Sequence, residues 1–205
     1  MLRIWGRTNS VNVKKALWAA EELGLKYQRI DAGMEHGVTK TPEYMKMNPN
    51  SLVPTIEDDG FVLWESHSIV RYLCAKHAAG TLWPTELQAR ADAERWMDWA
   101  FSFQNAMRAV FWGLIRTPPE KRDAKAIEEG RQKSAALLAV PERTLSERPY
   151  LGGAGFTMAD IPLGCEVQRW MRVPVERPPY PAVQAWFGRL CARPAFKKIV
   201  DLPLS

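Results

Sequence analysis

Cysteine is scarce in this sequence and long hydrophobic runs are missing, and both shortages exclude whole classes of protein. The three cysteines, Cys74, Cys165 and Cys191, are odd in number and far apart, which argues against a disulfide scaffold, a structural zinc site and a dithiol redox site. We expect each to be a small core residue. No apolar run approaches the roughly 20 residues of a membrane-spanning helix. The N-terminus, with Arg3 and Arg7, does not have the pattern of a signal peptide, so we expect a cytoplasmic protein without a membrane partner.

Charge of one sign is not concentrated anywhere along the chain. The 28 basic residues exceed the 23 acidic ones by five, and the excess is interspersed, whereas a nucleic-acid surface needs a basic cluster. Nucleic acid is therefore not an expected partner. His36, His67 and His77 have no partner spacing for zinc or for a Ser-His-Asp triad. We expect these histidines to be surface or cap residues, and we expect no metal.

The first thirty residues have the pattern of a strand, a helix and a second strand. Leu2–Trp5 and Tyr27–Ile30 read as short strands, and Ser10 precedes an amphipathic helix. A βαβ unit of this length has parallel strands and a right-handed connection. Further on, Thr41-Pro42 indicates the start of a short helix, because threonine is a good N-cap and proline is favoured at the first helical position.

A hairpin and a helix follow between residues 54 and 78. Asp59-Gly60 is a strong two-residue hairpin signal between strands at Pro54–Glu57 and Phe61–Trp64. A helical apolar pattern begins directly after Glu65-Ser66. This predicts Ser66 as the helix N-cap.

The segment just before this hairpin, NPNSLVP, predicts a bend. We predict a cis peptide bond between Val53 and Pro54, with Val53 facing a cleft. A bent backbone edge beside a helix N-terminus could hold a small acidic peptide.

The second half of the chain is almost entirely helical in pattern. Long helices are predicted at Leu87–Ile115 and at Lys121–Glu147, the second one bent near Pro141. Thr157 and Asp160 have the spacing of a capping box at the start of a further helix. We place these two residues in folding rather than in catalysis. Pro181 and Pro194 start two short terminal helices.

NPNSLVPTI followed by DDGFVLWESHSIVRYL resembles the glutathione-binding half of the cytosolic glutathione transferases. The shared pattern is N-P-x-x-x-V-P, an Asp-Gly hairpin and E-S-x-x-I-x-x-Y-L, and it is similar to the bacterial, serine-type, theta- or phi-like members. The resemblance implies an α+β, two-domain fold. Residues 1–78 would form a thioredoxin-like domain, 79–86 a linker, and 87–205 an all-helical domain.

The resemblance also implies a donor to the glutathione thiolate near the start of the first helix. Ser10 matches the activating serine of the serine-type enzymes. Asn12 is its strongest rival, because an amide can also donate to sulfur, and Thr8 is close enough to take the role. The alternative is that Ser10 only caps the helix.

Glutathione itself would be held by five further residues, Lys40, Val53, Pro54, Glu65 and Ser66. By resemblance, Ser66 takes the γ-glutamyl carboxylate, Glu65 the ammonium, and Val53 pairs through its backbone, next to Pro54, with the cysteinyl unit. The alternative for Glu65 and Ser66 is a helix cap with an acid that complements the helix dipole. Lys40 is assigned to the glycyl carboxylate, and the alternative is a solvated loop lysine. Leu52 stands where the family often has Gln or Lys.

The second substrate is expected against the helical domain. Trp96, Trp99, Phe103, Met107 and Phe111 recur at spacings of three and four on one predicted helix, and the last four of them are assigned to the electrophile pocket. The alternative is that this aromatic stripe is ordinary core. If it lines a pocket, an apolar or aromatic electrophile is the expected ligand.

The leading hypothesis is therefore a metal-free enzyme of detoxification that joins glutathione, its co-substrate, to a small hydrophobic or halogenated electrophile. Family resemblance also implies a homodimer. Two alternatives stay open: a non-enzymatic, transferase-like binding partner, and a glutathione-dependent isomerase or peroxidase.

Overall fold

A computed structural model describes residues 1–205, which divide into two compact units, Met1–Trp83 and Pro84–Ser205. The first unit has a four-stranded sheet and three α-helices. Their bounds are β1 (Leu2–Trp5), α1 (Val11–Glu22), β2 (Tyr27–Ile30), α2 (Pro42–Met47), β3 (Thr55–Asp58), β4 (Phe61–Trp64) and α3 (Ser66–His77). The strand order is β2-β1-β3-β4.

The predicted thioredoxin-like arrangement of this unit is confirmed. β1 pairs parallel with β2 and antiparallel with β3, and β3 forms the predicted hairpin with β4. Helix α2 begins as expected, because the side chain of Thr41 accepts a hydrogen bond from the Tyr44 amide at 3.3 Å. The loop after β1 lies close to α1 at Gly6, where a Cβ would come within 2.4 Å of Val13. A side chain at this position would push α1 away from the sheet.

The second unit consists of helices alone. They are α4 (Leu87–Phe111), α5 (Ala124–Glu147), α6 (Asp160–Arg172), α7 (Pro181–Ala192) and α8 (Pro194–Ile199). Helix α4 packs against both α5 and α6, and it continues into a π-helical turn at Trp112–Arg116. Helix α5 starts later than predicted, because Asp123 caps it by accepting from the Ala126 amide at 3.0 Å. No helix in this structure combines the length and the hydropathy that crossing a bilayer requires.

The capping box of α6 forms the buried polar centre of this unit. Asp160 accepts hydrogen bonds from the backbone amides of Thr157 at 3.0 Å and Leu151 at 2.9 Å, and from Trp186 Nε1 at 2.8 Å. The helix itself starts at Asp160, so Thr157 closes the turn before it rather than standing at the N-cap. Complete burial raises the pKa of Asp160 to about 6 despite these three donors.

The cysteines are free thiols, and two of them are core residues as predicted. Cys74 and Cys165 are buried, and burial raises the pKa of the Cys74 thiol to about 12. The expectation is wrong for Cys191, which is only partly buried. Cys191 lies near the end of α7, where one side of the helix faces solvent.

Candidate active site

A cleft in the first unit collects residues from three separate segments: the start of α1, the loop before β3 and the start of α3. Five residues predicted for the site line it together. The lining residues are Asn12, Asn48, Asn50, Leu52, Val53, Pro54, Glu65 and Ser66. Ser10 and Lys40 are not among them. The role assigned to each of these seven residues stays a prediction.

The loop before β3 is bent as predicted, and the Val53–Pro54 peptide bond is cis. The side chain of Val53 packs inward against a small cluster of Trp5, Ala32 and Tyr44. This packing anchors the residue from behind while Val53 also lines the cleft.

Tyr44 and Asn48 support this loop, and neither was predicted as a site residue from the sequence. The Leu52 carbonyl accepts hydrogen bonds from Tyr44 Oη at 2.6 Å and from Asn48 Nδ2 at 3.0 Å. Both side chains also bond Thr55 Oγ1, at 2.8 and 3.0 Å, while Asn48 Oδ1 accepts from the Asn50 amide at 3.0 Å. That last bond is an Asx turn, which the Asn-Pro-Asn sequence could have indicated. Together these bonds hold the backbone edge that leads into Val53.

The start of α3 differs from the prediction at one residue. Glu65, not Ser66, is the N-cap, and its side chain makes no capping hydrogen bond. Its φ is +71°, a backbone conformation that non-glycine residues adopt at a cost and that clusters at functional sites. The prediction failed because sequence preference favours serine as a cap and carries no signal for a left-handed glutamate. Ser66 is the first helical residue and is buried, with 4% of its surface exposed.

The resulting geometry suits an amino acid's charged end. The N-terminus of α3 carries partial positive charge and favours a carboxylate, and the Ser66 hydroxyl lies there. Glu65 is exposed beside it and can pair with an ammonium group. Both line the same cleft.

Ser10 occupies the N-cap position of α1, as predicted, but its side chain makes no capping hydrogen bond. The hydroxyl is largely buried, with 8% of the residue exposed. Asn12, in the first turn of α1, lines the cleft, and its Oδ1 accepts from Lys15 Nζ at 3.0 Å. The structure therefore brings the rival donor to the cleft, while the choice between the two stays a prediction.

One histidine lies where it was not expected. His36 and His77 are exposed, but His67 is only 2% exposed, and its Nε2 lies 3.1 Å from Nζ of the fully buried Lys15. The expectation of a surface or cap residue is thus wrong for His67. The reason is that α1 and α3 pack against each other and cover it.

The stripe on α4 is mostly interior. Phe103, Met107 and Phe111 are 0, 1 and 3% exposed, and Phe103 packs edge-to-face against Trp170. Trp99 lies apart from them, in an open groove between α4 and α5. The assignment of these four residues to an electrophile pocket stays a prediction.

The two residues discussed for the glycyl end of glutathione, Lys40 and Leu52, are both exposed. Lys40 is exposed in the loop before α2, and Leu52, 65% exposed, gives the cleft an apolar rim. No group of three or more His, Cys, Asp or Glu side chains is placed to hold a metal ion.

Comparison with known proteins identifies the family. The family model "Glutathione S-transferase, N-terminal domain" matches residues 9–76, and "Glutathione S-transferase, C-terminal domain" matches residues 103–194. The chain is 41% identical to glutathione S-transferase GstB of Escherichia coli K12, over 100% of both chains. It is 32% identical to glutathione S-transferase 3 of Zea mays, over 97% of this chain and 93% of that protein.

Solved structures agree with this. The glutathione-bound theta class glutathione S-transferase of Xanthomonas axonopodis pv. citri matches with a TM-score of 0.96 and 46% identity, covering 100% of this chain and 99% of that one. Glutathione transferase F2 of Populus trichocarpa matches with a TM-score of 0.85 and 26% identity, over 98% of each chain. This chain therefore belongs to the glutathione S-transferase family.

Proposed function

We propose that this protein is a glutathione transferase that stabilises the glutathione thiolate for attack on an apolar or halogenated electrophile. The observation that carries the proposal is the cleft. It joins Glu65 and Ser66 at a helix N-terminus with the bent backbone at Val53 and with a side chain from the start of α1. The glutathione-bound structure of the Xanthomonas relative supports the same ligand.

In this proposal each part of glutathione has its own partner. Ser66 binds the γ-glutamyl carboxylate, Glu65 the ammonium, and the backbone of Val53 the cysteinyl unit. Lys40 is assigned to the glycyl carboxylate. The aromatic stripe of Trp99, Phe103, Met107 and Phe111 is assigned to the electrophile.

The chemistry requires ionisation of the thiol. A free thiol has a pKa of about 8.5, so only a few per cent is ionised at neutral pH. Lowering this pKa by about two units takes roughly 2.7 kcal/mol of preferential thiolate stabilisation. The N-terminus of α1 and a donor from Ser10 or Asn12 would supply it. The thiol proton leaves to solvent, the sulfur forms a bond to carbon, and a halide leaves with its electron pair where the substrate carries one.

Calorimetry with glutathione, followed by turnover of aryl halides, epoxides and hydroperoxides, tests the proposal. We expect binding of glutathione and conjugation of an apolar electrophile. Binding without turnover would favour the non-enzymatic alternative, and turnover of hydroperoxides alone would favour a peroxidase. No binding at millimolar glutathione would refute the proposal.

We also propose a cytoplasmic homodimer with a role in detoxification, following the family resemblance. The groove between α4 and α5 supports a partner surface, because the apolar side chains of Trp99 and Val140 line it. Light scattering is expected to give twice the chain mass. A species of 23.3 kDa alone, across micromolar concentrations, would contradict the dimer.

A further inference from the structure

Lys15 is a fully buried lysine that contacts residues at the border of the cleft. None of its surface is exposed, and its Nζ lies 3.0 Å from Asn12 Oδ1 and 3.1 Å from His67 Nε2. Asn12 is the second residue of α1 and His67 the second residue of α3, next to Ser66. One ammonium group therefore ties together the first turns of both helices that border the cleft.

The chemistry of an ammonium group determines how these two partners are oriented. It has three donors and no acceptor, so Asn12 must present its oxygen to Lys15. The Nδ2 donor of the same amide then points away from Lys15. Asn12 lines the cleft, so the orientation of its amide decides which of its atoms can meet a ligand there.

The same reasoning assigns the state of His67. With Lys15 charged, His67 Nε2 accepts from it, and a neutral ring then carries its proton on Nδ1. A charged imidazolium would place two cations 3.1 Å apart in the interior, which burial makes strongly unfavourable.

We propose that Lys15 is a positioning residue that fixes the Asn12 amide as a hydrogen-bond donor to the thiolate of bound glutathione. This inference rests on the proposed function. A simple structural role for Lys15 would change stability without changing the ionisation of the thiol. A direct effect of its charge on the sulfur would not depend on Asn12.

Substitution of Lys15 by methionine, which keeps the length and apolar stem, tests this. The ultraviolet absorbance of the thiolate, titrated with the protein saturated in glutathione, gives the pKa of the bound thiol. We expect Lys15→Met to raise that pKa by about one unit. Lys26→Met, at an exposed lysine after α1, is the matched control and should leave it unchanged.

The double variant distinguishes an effect of Lys15 through the Asn12 amide from a direct effect of its charge on the sulfur. In an Asn12→Ala background, Lys15→Met should cause no further rise if Lys15 acts through the amide. An equal further rise would overturn the proposal. If the wild-type protein does not bind glutathione or does not lower the pKa of its thiol, the proposed function fails. If the wild type does both and Lys15→Met matches it, only this inference fails.

A measurement on the wild-type protein keeps the test valid if Lys15→Met does not fold. The chain has three histidines, so long-range proton–nitrogen spectra of labelled protein can resolve each ring. We expect His67 to be the neutral Nδ1-protonated tautomer at neutral pH. An Nε2-protonated ring or an imidazolium there would overturn the arrangement.

Discussion

Each unit of this protein has a charged residue with no exposed surface, Lys15 in the first and Asp160 in the second, and these two differ in where their partners lead. Asp160 accepts from three donors that all belong to the folding of the helical unit, two of them backbone amides. Lys15 instead donates to Asn12 and contacts His67 Nε2 at the border of the cleft. Burial of a charge is thus not itself a sign of function. The position of the partners separates a charge that holds the fold from one that prepares a site.

The largest expected effect comes from removing the structural charge. Asp160→Ala leaves three buried donors without an acceptor, which should lower the free energy of unfolding by about 3–5 kcal/mol. Urea denaturation measures this loss. Asp98→Ala, at an exposed aspartate of α4, is the control and should change it by less than about 0.5 kcal/mol. An Asp160→Ala protein as stable as the wild type would show that Asp160 does not hold the fold, and the contrast with Lys15 would fail.

The pH dependence of stability offers a second test of Asp160. Its pKa in the folded protein is about 6, against about 3.9 in an unfolded chain. Because the folded value is the higher one, the associated stability is fully present below pH 4 and is lost as the pH rises through 6. The loss amounts to at most about 3 kcal/mol.

The measurement compares the wild type with Asp160→Asn, which cannot titrate. From pH 4 to pH 6.5, the unfolding free energy of the wild type should fall relative to that of Asp160→Asn. Other carboxylates titrate equally in both proteins and cancel. A constant difference across this range would show that Asp160 has no raised pKa.

The two buried charges were also unequally predictable from sequence. Thr157 and Asp160 lie three residues apart, and local capping rules identified them. Lys15 and His67 lie 52 residues apart, and only the packing of α1 on α3 brings them together. Lys15 is off the apolar stripe of α1, so periodicity gave no sign that it is buried. Nine of the twelve residues of this helix are buried, which is more than one apolar face.

A similar difference holds within the cleft. The hairpin, the bend at Val53 and the start of α2 follow from local turn and cap chemistry, and the sequence predicted them. The left-handed Glu65 did not follow, because surrounding structure rather than local preference holds it. The support of Leu52 by Tyr44 likewise depends on a side chain eight residues away.

On the functional side, Glu65 and Ser66 should affect binding more than folding. Ser66→Ala or Glu65→Ala removes a charge-assisted hydrogen bond and should weaken glutathione binding by roughly 1.5–3 kcal/mol. Calorimetry measures the affinity, and urea denaturation measures the stability. Ser68→Ala, at an exposed serine of α3, is the matched control. Unchanged affinity in both site variants would refute their assignment.

The smallest expected effect on stability is that of Ser10→Ala, and it decides which donor serves the thiolate. A capping serine contributes about 1 kcal/mol, but the Ser10 hydroxyl makes no capping bond, so we expect less than about 0.5 kcal/mol.

Asn12→Ala should raise the pKa of the bound thiol by about one to two units, and Ser10→Ala by about one unit or less. Activity at neutral pH should fall in the same order, while glutathione affinity changes little. Much of the loss should return at high pH, where the thiol ionises without help. A larger shift for Ser10→Ala than for Asn12→Ala would make the hydroxyl the main donor, and Lys15 would then support the fold as Asp160 does.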